Sequence, residues 1–384
     1  MKRPPLVVAA LSLFLVTALA TPAFAWQFGL VDSNDGDSQG TSLAIDKSGT
    51  VFVAWEENHG DDLWWANWTG SAWSKKQVGG IGSFISCYGE ISGLGYPDYG
   101  PSAGFKPDNG KARIASACGT DLGEGTMAVR WTYYSTSKKK WVTEEPGGGL
   151  AGGATNVALA FDPDTSYPNI VVGDRRYSDV TWLHWDGSTW LQNVVQDGPG
   201  GFGVRGPLVT IAFNPVTGEP SVAWLYREDI PTSLDYATYD SATKTWTKTF
   251  GIVTDAMGVP SLTFGPDGTP WIAFQEGTDT ASHLEAAQLT GSTWTMTNVD
   301  STSTVTGVEP SAAFTGSKLR VAYYDETNGN LRWASLGSTA WSLKTLESTN
   351  DVGDFPSLAF NSSASAYISY YDLTKQDVRW ARPS

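Results

Sequence analysis

Acidic, basic and phenolic side chains recur at one place in this chain, just after short β-branched and aromatic runs. They are Glu56 and Glu57, Asp174 with Arg175 and Arg176, Tyr226, Arg227 with Asp229, Glu276, Asp325 and Asp372. Two carboxylates facing each other across a pocket, or a tyrosine facing a carboxylate, can cleave a glycosidic bond by acid/base and nucleophilic chemistry. Glu57, Asp174, Tyr226, Asp229 and Glu276 are the candidates for that role. Without catalysis, a partial acidic ring with a basic sector can hold a cationic or polyhydroxylated ligand. Glu56, Asp174, Arg175, Arg176, Arg227, Asp325 and Asp372 are the candidates for binding. Polar residues also collect in loops merely because loops are solvated, so no single member is compelling. Only three histidines occur, His59, His184 and His283, and nothing brings a serine to any of them. A Ser-His-Asp set is therefore not expected.

The metal signals are thin. Asp32-Ser33-Asn34-Asp35-Gly36-Asp37 resembles a calcium loop, but an EF-hand needs its second Asp and its Gly elsewhere in the register. No metal site is assigned. Calcium is the one cofactor that so acidic a surface would suit. Cys87 and Cys118 are the only cysteines, and in an exported chain a pair suggests one disulfide. It would pin the long connection from Gly79 to Gly100, whose Phe84, Tyr88, Tyr96 and Tyr99 offer faces on which sugar rings stack.

The elements that must position these residues repeat. Seven first strands end at Ile45, Phe105, Phe161, Phe213, Phe264, Phe314 and Phe360. They read small-x-small-aromatic, as in Ser261-Leu262-Thr263-Phe264 and Ser357-Leu358-Ala359-Phe360. Alternation places the small residues on one face and the bulky ones on the other, which suits wedge-shaped sheets packed around an axis. A turn rich in Asp, Asn, Gly and Pro follows, then a β-branched and aromatic strand such as Val51-Phe52-Val53-Ala54-Trp55. A third strand reads like Leu331-Arg332-Trp333-Ala334, and a fourth opens on a tryptophan: Trp73, Trp141, Trp190, Trp246, Trp294 and Trp341. The seventh repeat reaches Ser384 without one. Trp26 supplies it, because Trp26 to Asp32 matches Trp294 to Asp300 in spacing.

The expectation is an all-β, seven-bladed β-propeller of four-stranded antiparallel blades, with the N-terminal strand (26–37) completing the last blade. Blades start near 40, 101, 155, 207, 260, 310 and 356. At roughly 50 residues each, seven blades fill 26–384 as one domain. In such a blade the b–c turns and d–a connections emerge on one face around the channel mouth, where the candidate residues above would gather.

Residues 1–25 read as an export signal. Lys2 and Arg3 precede the apolar stretch Leu6 to Ala20, and Ala23-Phe24-Ala25 fits small-x-small cleavage. The expected destination is the periplasm or the exterior, with no membrane insertion after cleavage. A net charge of −15 opposes binding to nucleic acid and anionic lipid. An extracellular glycan or protein is the expected partner.

Pro356-Ser357-Leu358-Ala359-Phe360, Tyr367-Ile368-Ser369-Tyr370-Tyr371-Asp372 and Val378-Arg379-Trp380-Ala381 together resemble a repeat of exported bacterial propellers. Its pattern runs PSLAxD, ISYYD, DLxYA and DGSxW, within the sialidase-like, Asp-box-like superfamily. The resemblance implies a scaffold and no defined activity. Asp186-Gly187-Ser188-Thr189-Trp190 shares the Asp, Gly and Trp of an Asp box but lacks its leading Ser and its spacer. The substrate-holding arginine triad of sialidases has no counterpart in the spacing of Arg175, Arg176, Arg205 and Arg227, so active-site roles do not carry over. The two other readings are a sialidase-like glycoside hydrolase and a structural envelope or matrix component.

Overall fold

The computed structural model describes residues 25–33, 39–57, 62–79, 100–119, 127–148, 154–174, 177–198, 205–227, 232–338 and 340–384. The export-signal reading and the long loop with its Cys87 lie outside these residues. Seven four-stranded antiparallel sheets form a ring, the architecture expected from the repeat. Strands are named a to d from the axis outward. The a strands of blades 1 to 7 are Gln39–Ile45, Ser102–Phe105, Ala154–Phe161, Arg205–Phe213, Ala256–Phe264, Val308–Thr315 and Val352–Phe360. Among the described residues there is no α-helix, only one short 3₁₀ turn at Pro146–Gly148.

Blade 7 takes its d strand from Trp26–Ser33, which lies antiparallel to Asp377–Pro383, with Trp26 opposite Pro383 and Ser33 opposite Asp377. The aromatic columns show why Trp26 belongs there. The tryptophan opening strand d packs on the strand-c aromatic of the preceding blade in pair after pair. Trp141 meets Trp65 at 5.3 Å, Trp190 meets Trp131 at 5.6 Å, Trp246 meets Trp182 at 5.3 Å and Trp294 meets Tyr236 at 5.2 Å. Trp26 meets Trp333 at 5.5 Å, in the same column. These indoles are therefore packing between blades, not a ligand-binding stripe.

The small residues of strand a have a second use. In each blade a Ser, Thr or Asn side chain accepts a hydrogen bond from the strand-a N–H of the next blade. The acceptor–donor pairs run Ser42–Ala103, Ser102–Leu159, Asn156–Val209, Thr210–Leu262, Ser261–Ala312, Ser311–Leu358 and Ser357–Leu43. Six span 2.9 Å and the Thr210 contact is a weak 3.5 Å. The circuit returns to blade 1, so it is a closed belt around the axis. It satisfies inner-strand N–H groups that have no partner within their own sheet. A small side chain is needed because only then can neighbouring a strands approach to hydrogen-bonding distance.

The apolar core follows the same geometry. It divides among the blade interfaces rather than forming one centre. Leu208, Leu225, Ile272 and Phe274 fill the interface of blades 4 and 5, while Val31, Val53, Trp55 and Trp380 fill that of blades 7 and 1. On the face opposite the channel mouth, turns are held by Asx contacts. Asp186 Oδ1 accepts from Ser188 N, Ser188 Oγ and Thr189 N, each at 2.8 Å. These backbone and hydroxyl donors hold the Asp186 carboxyl below its ordinary range. Gly187 takes φ 102° in that turn, which a side chain would resist. The Asp-box likeness is thus a hairpin brace, far from the mouth.

Candidate functional site

One register position at or near the end of strand b recurs in every blade, six residues past the partner of the strand-a residue Ile45, Phe105, Phe161, Phe213, Phe264, Phe314 or Phe360. It is Glu57, Cys118, Asp174, Tyr226, Glu276, Asp325 and Asp372 in turn. In each blade this position lies at the channel-mouth end of strand b. Their environments differ sharply.

In blades 6 and 7 the carboxylates are built into the scaffold. Asp325 and Asp372 are fully buried. Arg332, on strand c of blade 6 (Asn330–Leu336), reaches Asp325 Oδ2 and Asp300 Oδ2, both at 3.3 Å. Asp300 ends strand d of blade 5, and its Oδ2 also accepts from the Tyr323 hydroxyl at 2.6 Å. Blade 7 repeats the arrangement. Arg379 reaches Asp372 Oδ2 at 3.0 Å and Glu347 Oε1 at 2.8 Å, while the Tyr370 hydroxyl donates to Glu347 Oε2. Each guanidinium joins an acid of its own blade to the acid ending strand d of the preceding blade. Asp325 and Asp372, expected as rim contacts for a ligand, are inter-blade staples with no exposed surface.

Glu56 and Glu57 are likewise buried, and Glu57 Oε1 accepts from Trp55 Nε1 at 2.7 Å. Asp174 is buried and accepts from Tyr177 N at 3.0 Å. Burial pushes the Tyr226 hydroxyl far above its ordinary value, and the charge of Asp235 adds to this. Such a phenol is a poor proton acceptor at neutral pH. Arg175, Arg176 and Asp229 lie outside the described residues. Arg227 and Cys118 sit on described strands, but their side chains lie outside the description, and the disulfide with them. Asp32, from the calcium-like stretch, is buried and ion-paired with Lys75.

Three groupings that the sequence did not assemble stand out in the fold, one of them around the candidate Glu276. The first is at the channel mouth between blades 6 and 7. Asp354 lies on strand a beside Phe355, which lines the axial cavity of about 190 Å³ with Thr41, Asn156, Glu309 and Ser357. Burial pushes the Asp354 carboxyl up to about 7, and the negative charges of Asp351 and Glu326 add to the shift. Asp351 Oδ1 in turn accepts from the Tyr324 hydroxyl at 2.5 Å. A carboxyl poised near neutrality can act as a proton donor or acceptor.

The shift also has a consequence for stability. The folded state holds its proton more tightly than the unfolded state, whose ordinary value is 3.8. Stability is therefore lost as pH rises from about 4 through about 7. Asp354 keeps partial exposure, so solvent screening reduces the cost to about 2 kcal/mol. Asp354→Asn is expected to exceed the parent in stability by about that amount at pH 8 and to match it at pH 4. Urea unfolding midpoints at the two pH values check this; an equal difference at both would assign the effect to packing.

The second group is Glu276 on strand b of blade 5 with His283 and Glu285 on strand c, whose donor atoms all lie within 4.8 Å of one another. The third is a groove of about 520 Å³ on the outer wall between blades 3 and 4, lined by His184, Tyr239, Trp246 and Lys248 among others. His184 stacks on Trp182 at 3.8 Å, and burial lowers its affinity for a proton.

No family model and no curated protein matches the sequence. The fold has clear likenesses. A polysaccharide lyase of family PL25, an ulvan lyase, superposes with a TM-score of 0.67 at 12% identity, over 91% of this chain and 94% of that one. The same lyase bound to -[GlcA(1-4)Rha3S]- gives 0.68 at 12% identity, over 92% and 94%. Hydrazine synthase of Kuenenia stuttgartiensis gives 0.60 at 10% identity, over 93% and 98%. These likenesses establish the propeller ring along nearly the whole chain. Proteins of quite different chemistry share it, so the ring alone assigns no activity.

Proposed function

We propose that the protein is an exported propeller that binds a neutral, polyhydroxylated extracellular glycan at its channel-mouth face without turning it over. The observation that carries this reading is the commitment of the rim carboxylates. Asp325 and Asp372 have no exposed surface and are ion-paired to Arg332 and Arg379. An acid/base pair needs two carboxyl groups open to one pocket. What remains open at this face suits hydroxyl recognition. Asp351, Asp354 and Glu326 cluster at the channel-mouth end of blades 6 and 7, where Asp351 and Glu326 keep exposed surface and supply acceptors. The same acids would repel uronate or sulfate groups. The ligand is therefore expected to differ from the -[GlcA(1-4)Rha3S]- chain bound to the similar lyase.

Glycan-array retention of labelled protein, with and without calcium, tests the reading. The expected result is selective retention on neutral glycans, weakened at least tenfold in Asp354→Ala. Retention only on acidic glycans, or none on any sugar, would overturn it and favour a protein partner or a structural role.

One observation favours a second reading, a glycoside hydrolase: the Asp354 carboxyl, raised to about 7 beside Asp351 and Glu326. Turnover of a retained glycan, lost in Asp354→Asn while binding persists, would establish it in place of the first.

A further inference from the structure

Blade 5 keeps the strand-b acid of the staple in blades 6 and 7 but not its arginine, its tyrosine or the acid from the preceding blade, where Glu285, Phe274 and Val253 stand instead. In strand c, Arg332 lies opposite Tyr323 and Arg379 lies opposite Tyr370. The same register position in blade 5, opposite Phe274, is Glu285. Where the later blades set a guanidinium against the strand-b acid, blade 5 sets a second carboxylate. His283 lies directly across the ladder from Glu276, with Glu285 two residues further along the same face.

The three side chains converge. His283 Nε2 is 3.5 Å from Glu276 Oε2 and 3.1 Å from Glu285 Oε1. Glu285 is only 6% exposed, so its charge is poorly solvated. Among the described residues, no lysine or arginine is ion-paired with either glutamate, and His283 is the side chain that reaches both.

We propose that Glu276, His283 and Glu285 bind a divalent transition-metal cation, of which Zn²⁺ is representative, in the place that the later blades give to an arginine. The donor geometry fits. Ligands about 2.1 Å from one tetrahedral ion sit roughly 3–4 Å from one another. Three protein ligands leave a fourth position for water or a ligand oxygen. The imidazole favours zinc over calcium, whose sites are built of oxygen alone. Asn298 hydrogen-bonds Glu285 and would hold it in orientation. The inference stands independently of the glycan reading.

The experiment is calorimetric titration of metal-free protein with ZnCl₂, alongside thermal unfolding. The parent is expected to bind one equivalent and to gain a few degrees in Tm, whereas the same concentration of CaCl₂ produces no comparable rise. His283→Ala and Glu276→Gln should each weaken zinc binding at least tenfold. Glu285→Arg should abolish it, yet remain folded with a Tm no lower than the metal-free parent, because it sets a guanidinium against Glu276 as Arg332 is set against Asp325. Should that variant fail to fold, Glu285→Gln gives the same readout of binding without the added bulk. Absence of zinc binding by the parent would overturn the proposal. So would binding that survives in both His283→Ala and Glu285→Gln, since the zinc would then sit elsewhere.

Discussion

Deleting Trp26 to Ser33 is expected to abolish cooperative folding at ordinary temperatures. The segment is strand d of blade 7, and its loss uncovers the whole length of Asp377–Pro383 as an unpaired edge. It also strips Trp26 from the interface of blades 6 and 7, and Val31 from that of blades 7 and 1. Deleting a fully buried tryptophan costs about 3–5 kcal/mol, and part-buried Trp26 contributes a share of that. With the lost ladder the total approaches the whole stability of a typical domain, about 5–15 kcal/mol. Gly29 adds a subtler test of the same contact. A β-carbon there would meet the Trp380 indole at 2.5 Å, so Gly29→Val should lower Tm although it leaves every ladder partner in place. Thermal unfolding by circular dichroism reads both. An unchanged Tm in the deletion would refute closure by this strand.

That closure was legible in the sequence because it rests on spacing and residue type alone. Trp26 and Asp32 stand in the relation of Trp294 to Asp300, and the fold places both pairs at equivalent positions. The small-aromatic pattern of strand a was equally legible, though its use was only half read. Alternation gave the wedge packing, while the belt of side-chain acceptors needs the lateral offset between blades, which no single repeat displays. The candidate site was less legible. The strand-b acids were found as a set, yet periodicity cannot separate a carboxylate facing solvent from one facing an arginine on the adjacent strand. Arg332 and Arg379 were visible as repeat positions. Their partners Asp300 and Glu347, each six residues past a strand-d tryptophan, belong to the preceding repeat. Asp354 was missed for another reason. Its raised proton affinity comes from Asp351, Glu326 and burial at the mouth, a combination assembled by the ring. Glu285 could have been found by setting the strand-c segments in one column, where it replaces arginine.

The staple itself carries the second large effect. Arg379→Ala should cost about 3–5 kcal/mol, because it leaves two buried carboxylates facing each other without a cation. Asp372 would retain its contacts from Lys375 N at 2.9 Å and Asn350 Nδ2 at 3.2 Å, and Glu347 would retain the Tyr370 hydroxyl. These neutral donors solvate a charge only in part. Arg332→Ala should cost a similar amount through Asp300 and Asp325, which are buried to the same degree. The decisive comparison is the triple variant Arg379→Met, Glu347→Gln, Asp372→Asn. Removing all three charges leaves no uncompensated ion, so much of the loss should return relative to Arg379→Ala. Urea unfolding of the three proteins measures this. If the triple variant is as unstable as Arg379→Ala, the guanidinium acts by filling space between blades, and the charge pattern is incidental. If stability returns, the acids at the channel mouth of blades 6 and 7 belong to the ring's construction, and the search for ligand contacts moves to Asp354 and to blade 5.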